Sequence, residues 1–513
     1  MAANYRRGLY KEYELLLTEN EAIKAEYQLL QAEHRILKKE VKFKETLEAA
    51  LKEKSDEIEA LKKEILRLNA CLNTDGTNSG IPTSKTPLSK KKVIPNSRKK
   101  SGKKIGGQPG HPKKSLEGFA DCDVTETEIH KPECCPSCGG TLKETGEFIK
   151  KDELDYEVVV IKRRHQFPQC VCEECGQKSH LPIPVCLKEE NQYGSHVQSL
   201  ALSLMNIGNV SVNKVKKMIY GLSEEEINPS EGYLIKQQRK AAGDLKSFLE
   251  ELREQCLRLN TLYWDDTVID INANRGCLRF YGDETLALYT AHRYKNKVGV
   301  DDDGVLKLLP KETVVMHDHN RVNYNKDYSF QNIECNVHLL RDLQKTTDNL
   351  QHEWSAMLKE LLEKTNEERN QKIAEGSEAF ADDYVKTFFE EFDRVMLLAA
   401  KENKEDYSRY YGQDERTLLL RILKYKDNYL AWVVNFDLPF SNNLSERSLR
   451  GIKSKMKIAG QFQNEDTAKN YAAIKSYIET CYRNGINEAK ALLRLCEGNP
   501  YTIAELFAHS TGE

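Results

Sequence analysis

Leu262-Tyr-Trp-Asp-Asp-Thr-Val-Ile-Asp-Ile271 is the stretch on which the fold turns. Aromatic and β-branched residues favour a strand, whereas aspartate is depleted in strands. A strand carrying Asp265 and Asp266 at its centre is therefore unusual, and the two carboxylates must point to opposite faces. Residues 272–276, Asn-Ala-Asn-Arg-Gly, then read as a turn, and Cys277-Leu-Arg-Phe-Tyr-Gly282 as a second strand. Leu286-Ala-Leu-Tyr-Thr-Ala291 reads as a third, and Glu312-Thr-Val-Val-Met-His-Asp318 as a fourth that ends on a carboxylate. From about 331 to 431 the chain is rich in Glu and Lys and reads as helix. Helices are also expected over 443–455 and 466–495.

Working outward, the chain has 513 residues, enough for about three domains. Charged residues make up 31% and hydrophobic ones 39%. No run of ~20 apolar residues occurs, so no membrane-spanning helix is expected. The N-terminus lacks the apolar core of a secretory signal. A cytoplasmic protein is expected, and in that compartment the 14 cysteines read as metal ligands before disulfides. The net charge of −3 hides local polarity. Between Gly76 and Leu116 there is no acid, while Lys90, Lys91, Lys92, Arg98, Lys99, Lys100, Lys103 and Lys104 crowd together.

Four segments precede the strands. Over 8–73, Leu16, Ile23, Leu30, Leu37, Leu51, Ile58, Ile65 and Leu72 fall on one seven-residue repeat interrupted only by Lys44. That stripe argues for a coiled coil and hence a homo-oligomer, the alternative being a long amphipathic helix packed on its own domain. Residues 74–118 read as a basic linker, disordered when free, that contacts DNA phosphates or serves as a tether. Over 119–186, Cys135-Pro-Ser-Cys138-Gly and Cys172-Glu-Glu-Cys175-Gly form two C-x-x-C knuckles. Four thiolates suit one structural Zn²⁺ in a ribbon, with Glu157-Val-Val-Val-Ile161 supplying hairpin strand. Residues 190–258 read as helical, either a helix-turn-helix or helices packed on the next domain.

Three acids could carry chemistry: Asp265 within a strand, Asp318 at a strand end, and Glu446 at the start of a helix. That pattern fits an RNase H-like domain over 259–465, with a helical insertion at 343–430 and C-terminal helices over 466–513. Hard oxygen donors would hold two Mg²⁺ ions for phosphodiester chemistry. With 80 acids in the chain, three convenient ones also arise without function. Arg447, Arg450, Lys453, Lys455 and Lys457 follow Glu446 and could meet phosphates or form an ordinary basic surface. Asn442 and Asn443 could cap the helix that presents Glu446.

These motifs together resemble the insertion-sequence-66 family of bacterial transposases. The resemblance rests on Asn78-Ser-Gly-Ile-Pro82, Gly106-Gly-Gln-Pro-Gly-His111, the Cys135 knuckle, Tyr263-Trp-Asp-Asp-Thr267, Asn442-Asn-Leu-Ser-Glu-Arg-Ser-Leu-Arg450 and the helix from Tyr471 to Gly485. It implies a multidomain α/β protein: coiled coil, zinc ribbon, helical DNA-binding region and an Asp-Asp-Glu catalytic domain. It assigns the catalytic acids to Asp265, Asp318 and Glu446. It implies that bound metals activate water to nick transposon ends and then activate the freed 3′-hydroxyl for strand transfer. It also implies small accessory proteins as partners. His319-Asn320 stands where the family carries Gly-Tyr, and Val268 where Pro often follows. Two further readings stay open: a DNA-binding regulator with a degenerate nuclease fold, and a structure-selective nuclease or resolvase.

Overall fold

The computed structural model describes residues 2–73, 119–147, 149–184, 187, 189–407 and 410–511. The basic segment with Lys90 to Lys104, and Cys186, lie outside the described residues. The chain divides into two units. One combines residues 92–335 with 438–513; the other combines the N-terminal helix with residues 336–437.

Helix α1 (Ala2–Asn73) runs unbroken, and the leucines and isoleucines of its seven-residue stripe are exposed. Strands β1 (Cys170–Val171) and β2 (Lys178–Ser179) form a small antiparallel pair around the second knuckle. Glu157 to Ile161 does not form the expected strand; it is extended, largely exposed and unpaired. Its β-branched residues have strand propensity but no neighbouring strand or apolar face to pack on, and propensity alone does not make a strand.

Four helices follow: α2 (Ser195–Asn206), α3 (Val212–Leu222), α4 (Glu231–Asp244) and α5 (Lys246–Cys256). The Ser230 hydroxyl accepts from the Tyr233 N–H and starts α4. Then come β3 (Thr261–Ile271), β4 (Asn274–Gly282), β5 (Ala287–His292), α6 (Lys297–Asp302), β6 (Val314–His317) and β7 (Gln331–Glu334). The β3–β4 turn places Asn272 and Ala273 at φ 46° and 60°. Two left-handed residues match the twist of a tight hairpin. The unusual Ala273 is held because its N–H donates to Gln461 Oε1 at 2.7 Å.

The sheet order is β5-β4-β3-β6-β7. β5, β4 and β3 are mutually antiparallel, and β6 and β7 run parallel to β3. Strand β7 corrects the expectation of helix from 331. Gln331-Asn-Ile-Glu334 carries little apolar alternation, and pairing with β6 decides its conformation.

The rest of this unit is α12 (Asn443–Ala459), α13 (Glu465–Arg483), α14 (Glu488–Cys496) and α15 (Ile503–Thr511). One sheet face, with Leu262, Trp264 and Tyr281, packs with α2, α4 and α5; the other, with Ile269, Phe280 and Tyr289, packs with α12. α13 flanks edge strand β5. Its Ser476 and Thr480 hydroxyls accept from the Tyr289 and Ala287 N–H groups, which covers the open edge.

In the second unit, α7 (Asn336–Leu350), α8 (Glu353–Ala374), α9 (Asp382–Asp406), α10 (Gly412–Lys424) and α11 (Lys426–Val434) bury Trp354, Leu358, Phe392 and Trp432. Glu415 is fully buried there and accepts from Trp354 Nε1 and Asn403 Nδ2 while sharing a hydrogen bond with His352.

Candidate active site

The parallel pairing of β3 with β6 matches Thr261 to Val314 and Tyr263 to Met316. Continued two residues, that register brings Asp318, just past the end of β6, alongside Asp265. Asp265 lies on the face covered by α12, whose first turn carries Glu446. Burial, and then the negative charge of Asp318, push the Asp265 carboxyl up to about 8. Asp266 and Glu446 push in the same direction, and only the Asp266 N–H, donating to Asp265 Oδ1 at 2.7 Å, opposes them. A buried carboxyl crowded by other carboxylates favours either a proton or an added cation.

Asn442 departs from its expected capping role. Its side chain makes no cap hydrogen bond to the α12 backbone. Fully buried, it donates from Nδ2 to the Trp264 carbonyl at 2.8 Å and accepts from the Ser445 hydroxyl at 2.8 Å. Its N–H donates to Cys335 Sγ at 3.2 Å, and the Cys335 N–H donates to the His317 carbonyl. These bonds connect the residues beside Asp265, Asp318 and Glu446.

Beyond β6 lies a group that the sequence reading missed. Buried Glu334 ends β7, shares a 2.8 Å hydrogen bond with His319 and accepts from the Tyr324 hydroxyl. Burial works against its charge, but His319, His317 and Tyr324 together hold it below the ordinary carboxylate range. His317 hydrogen-bonds Asn332 at 2.8 Å through Nε2. The two histidines flanking Asp318 were the available signal, but without β7 they had no visible partners.

On the opposite face of β3, Lys295 reaches Asp266 Oδ1 at 2.7 Å. Burial works against the Lys295 charge, and Asp266 more than offsets it, so the ammonium stays above the ordinary lysine range. Next to it, fully buried Arg279 donates to Asp303 Oδ2 at 2.9 Å, and the Tyr281 hydroxyl donates to the same oxygen at 2.8 Å.

Arg447, Arg450, Lys453 and Lys457 are exposed on α12. Lys455 is a correction: it is buried, donates to the Met205 carbonyl at 3.0 Å and lies over the Tyr471 ring. Burial lowers it to about 8, and its burial against Met205 and Tyr471 keeps it away from a phosphate.

The two knuckles share one backbone pattern. The Gly139 and Gly176 N–H groups donate to the Cys135 and Cys172 carbonyls at 2.8 and 2.9 Å, with both glycines at φ 71°. Backbone N–H donors, of Ser137 and Cys138 in one knuckle and of Cys175 and Glu174 in the other, hold the Cys135 and Cys172 thiols below the ordinary range. Among the described residues, no three His, Cys, Asp or Glu side chains form a ready metal-ligating group. That applies to both the knuckles and the carboxylates. No helix among the described residues is long and apolar enough to cross a membrane.

A family model described as "Transposase IS66 family" matches residues 212–470, about half of the chain. That span contains Asp265, Asp318 and Glu446. No curated protein matches the chain.

Proposed function

The chain belongs to the IS66 transposase family, and from that premise we propose that it cuts transposon ends and joins them to target DNA through an Asp265–Asp318–Glu446 site. The sheet order β5-β4-β3-β6-β7, with an acid on the central strand, is the arrangement an RNase H-like domain uses, which supports this reading. The observation that carries it is the β3–β6 register, which brings Asp318 alongside Asp265 on the face covered by α12 with Glu446 in its first turn. Carboxylate oxygens are the hard donors Mg²⁺ prefers, and the three side chains would have to close together to hold it. When bound, divalent ions supply charge stabilisation at phosphate oxygens and a more acidic attacking water or hydroxyl.

Asp265 on β3 and Asp318 just past the end of β6 would hold the cations, and Glu446 would complete the set from α12. Asn442 fixes the start of α12 against the Trp264 carbonyl. In the first step water adds to phosphorus and the P–O3′ bond breaks, freeing a 3′-hydroxyl. In the second that hydroxyl adds to a target phosphorus, and the target P–O3′ bond breaks. Arg447 and Arg450 lie on the exposed side of α12 and would neutralise backbone phosphates. The basic segment from Lys90 to Lys104 would do the same. Cys135, Cys138, Cys172 and Cys175 would close on one structural Zn²⁺, a reading supported by the matching backbone of the two knuckles and the lowered Cys135 and Cys172 thiols. The exposed stripe of α1 would pair with a second copy.

The test uses DNA carrying the inverted repeats that flank the gene, a target plasmid and Mg²⁺. Asp265→Asn, Asp318→Asn and Glu446→Gln are each expected to abolish cleavage and joining while retaining DNA binding. Cleavage at the wild-type rate by any one of them would remove that residue from the site.

A further inference from the structure

The loop that follows β5, residues 293–296, reads Arg-Tyr-Lys-Asn, and no motif used above includes it. It leaves edge strand β5 and returns across the sheet, so that Lys295 reaches Asp266, the neighbour of Asp265, at 2.7 Å. The charge of Asp318 also acts on Lys295. A cation thus stands on the other face of β3 from Asp265, close enough to feel the charge of Asp318, at a level where the pairing of β3 with β6 has already ended at Tyr263.

Three observations point to a ligand. Tyr294 is 49% exposed, although the His292 ring lies tilted against it at 5.5 Å between centroids. The Arg293 guanidinium lies 6.0 Å from its ring centroid, and Arg293 is itself largely exposed while paired with Glu465 at 2.8 Å. The Lys295 side chain is 55% exposed although Asp266 beneath it is only 7% exposed. An ammonium has three donors, so one can stay on Asp266 while the others face outward.

The loop is held in shape from below. The Tyr294 N–H donates to His292 Nδ1 at 3.0 Å, and its carbonyl accepts from Arg279 Nη2 at 2.5 Å. Arg279 is fixed by buried Asp303. Gly299 allows the close approach, because a Cβ there would sit 2.1 Å from the Tyr294 carbonyl oxygen. The exposed ring therefore stands on an ordered backbone, and binding to it costs little additional ordering.

We propose that loop 293–296 is a nucleotide clamp: Tyr294 stacks on an unpaired base, and Lys295 takes the adjoining phosphate of the strand that enters the carboxylate site. The clamp rests on the proposed function, since it presumes a DNA strand at Asp265. An aromatic face beside basic groups is the chemistry that binds single-stranded nucleic acid. A paired base keeps its faces stacked within the duplex, so the ring selects an unpaired one.

The test uses the full chain with Asp265→Asn, so that bound DNA stays intact. The probes are a forked duplex with 2-aminopurine in its unpaired arm and a fully paired duplex with 2-aminopurine at the same position. Binding of the fork is expected to quench the fluorescence. Tyr294→Ala should abolish the quench and weaken fork binding roughly tenfold, and Tyr294→Phe should restore both. Lys295→Gln should lower the slope of log affinity against log salt by about one, and Lys295→Arg should keep it. A quench that survives Tyr294→Ala, or a Tyr294-dependent signal of equal size on the paired duplex, overturns the clamp. Cleavage assays separate the two failures. If Asp265→Asn still cuts, the functional reading falls with the clamp. If it is inert but the quench ignores Tyr294, the clamp alone falls.

Discussion

Asp265 and Asp266 are neighbours in one strand, yet they occupy opposite electrical situations. Asp266 has Lys295 at 2.7 Å, and on its side of the sheet the buried Arg279–Asp303 pair is also matched charge for charge. Asp265 is half-buried, and the charges acting on it most strongly are all negative. A buried charge without a partner is costly, and such costs concentrate where function requires them. On one face the charges are paired, whereas on the other the acids around Asp265 repel one another. The helical unit makes the same contrast: there Glu415 is more fully buried than Asp265, but His352, Trp354 and Asn403 satisfy it.

The largest expected effect tests the unmatched face. Asp265→Asn should reduce end cleavage on the order of a thousandfold or more, measured as nicked ends per time in Mg²⁺. If cleavage changes less than tenfold, the contrast between the faces carries no catalytic meaning. Next comes the matched face. Arg279→Ala leaves Asp303 buried without its base and should destabilise the sheet unit by about 3–5 kcal/mol in a denaturant titration. A loss as small as a surface substitution would show that the pair is not holding that face.

Third is pH. In metal-free buffer Asp265 binds its proton more tightly folded than unfolded, because its value rises from 3.8 to about 8. The folded state is therefore favoured below pH 4, and this contribution is lost as pH rises towards 8. Melting temperatures in EDTA should fall across that window in the wild type, and Asp265→Asn should flatten the fall. An unchanged slope would mean that Asp265 is not the group responsible. Fourth, Asn442→Ala removes a donor from the Trp264 carbonyl and should cost about 1–3 kcal/mol of stability. It should lower the cleavage rate more than DNA affinity. The smallest effect is expected on the exposed side of α12. Arg450→Gln should weaken binding several-fold at low salt and lower the salt slope by about one; an unchanged slope would take Arg450 out of the interface.

Much of the sheet was legible in the chain. β3 and β4 carry aromatic and β-branched runs flanking a turn, and Ala287 to His292 and Val314 to His317 follow close to where pattern placed strands. β7 was not legible, because four residues with one apolar side chain acquire strand geometry only from their partner. Glu157 to Ile161 erred in the other direction, with strand-like composition and no partner. Lys455 looked like one more basic residue on α12. Nothing local marks it as buried, because Met205 and Tyr471, which surround it, are distant in sequence. Asn442 looked like a cap, and its bond to Trp264 crosses 178 positions of chain.

By itself the sequence determined where backbone periodicity changes, which residues form the hairpin turn, the paired knuckles and the seven-residue stripe. Those depend on neighbours a few positions apart. Only the tertiary structure decided which of two adjacent aspartates lies among like charges, which is answered by a lysine, and which polar side chains vanish from water. Desolvation and Coulomb forces act through space, and residues hundreds of positions apart set them jointly.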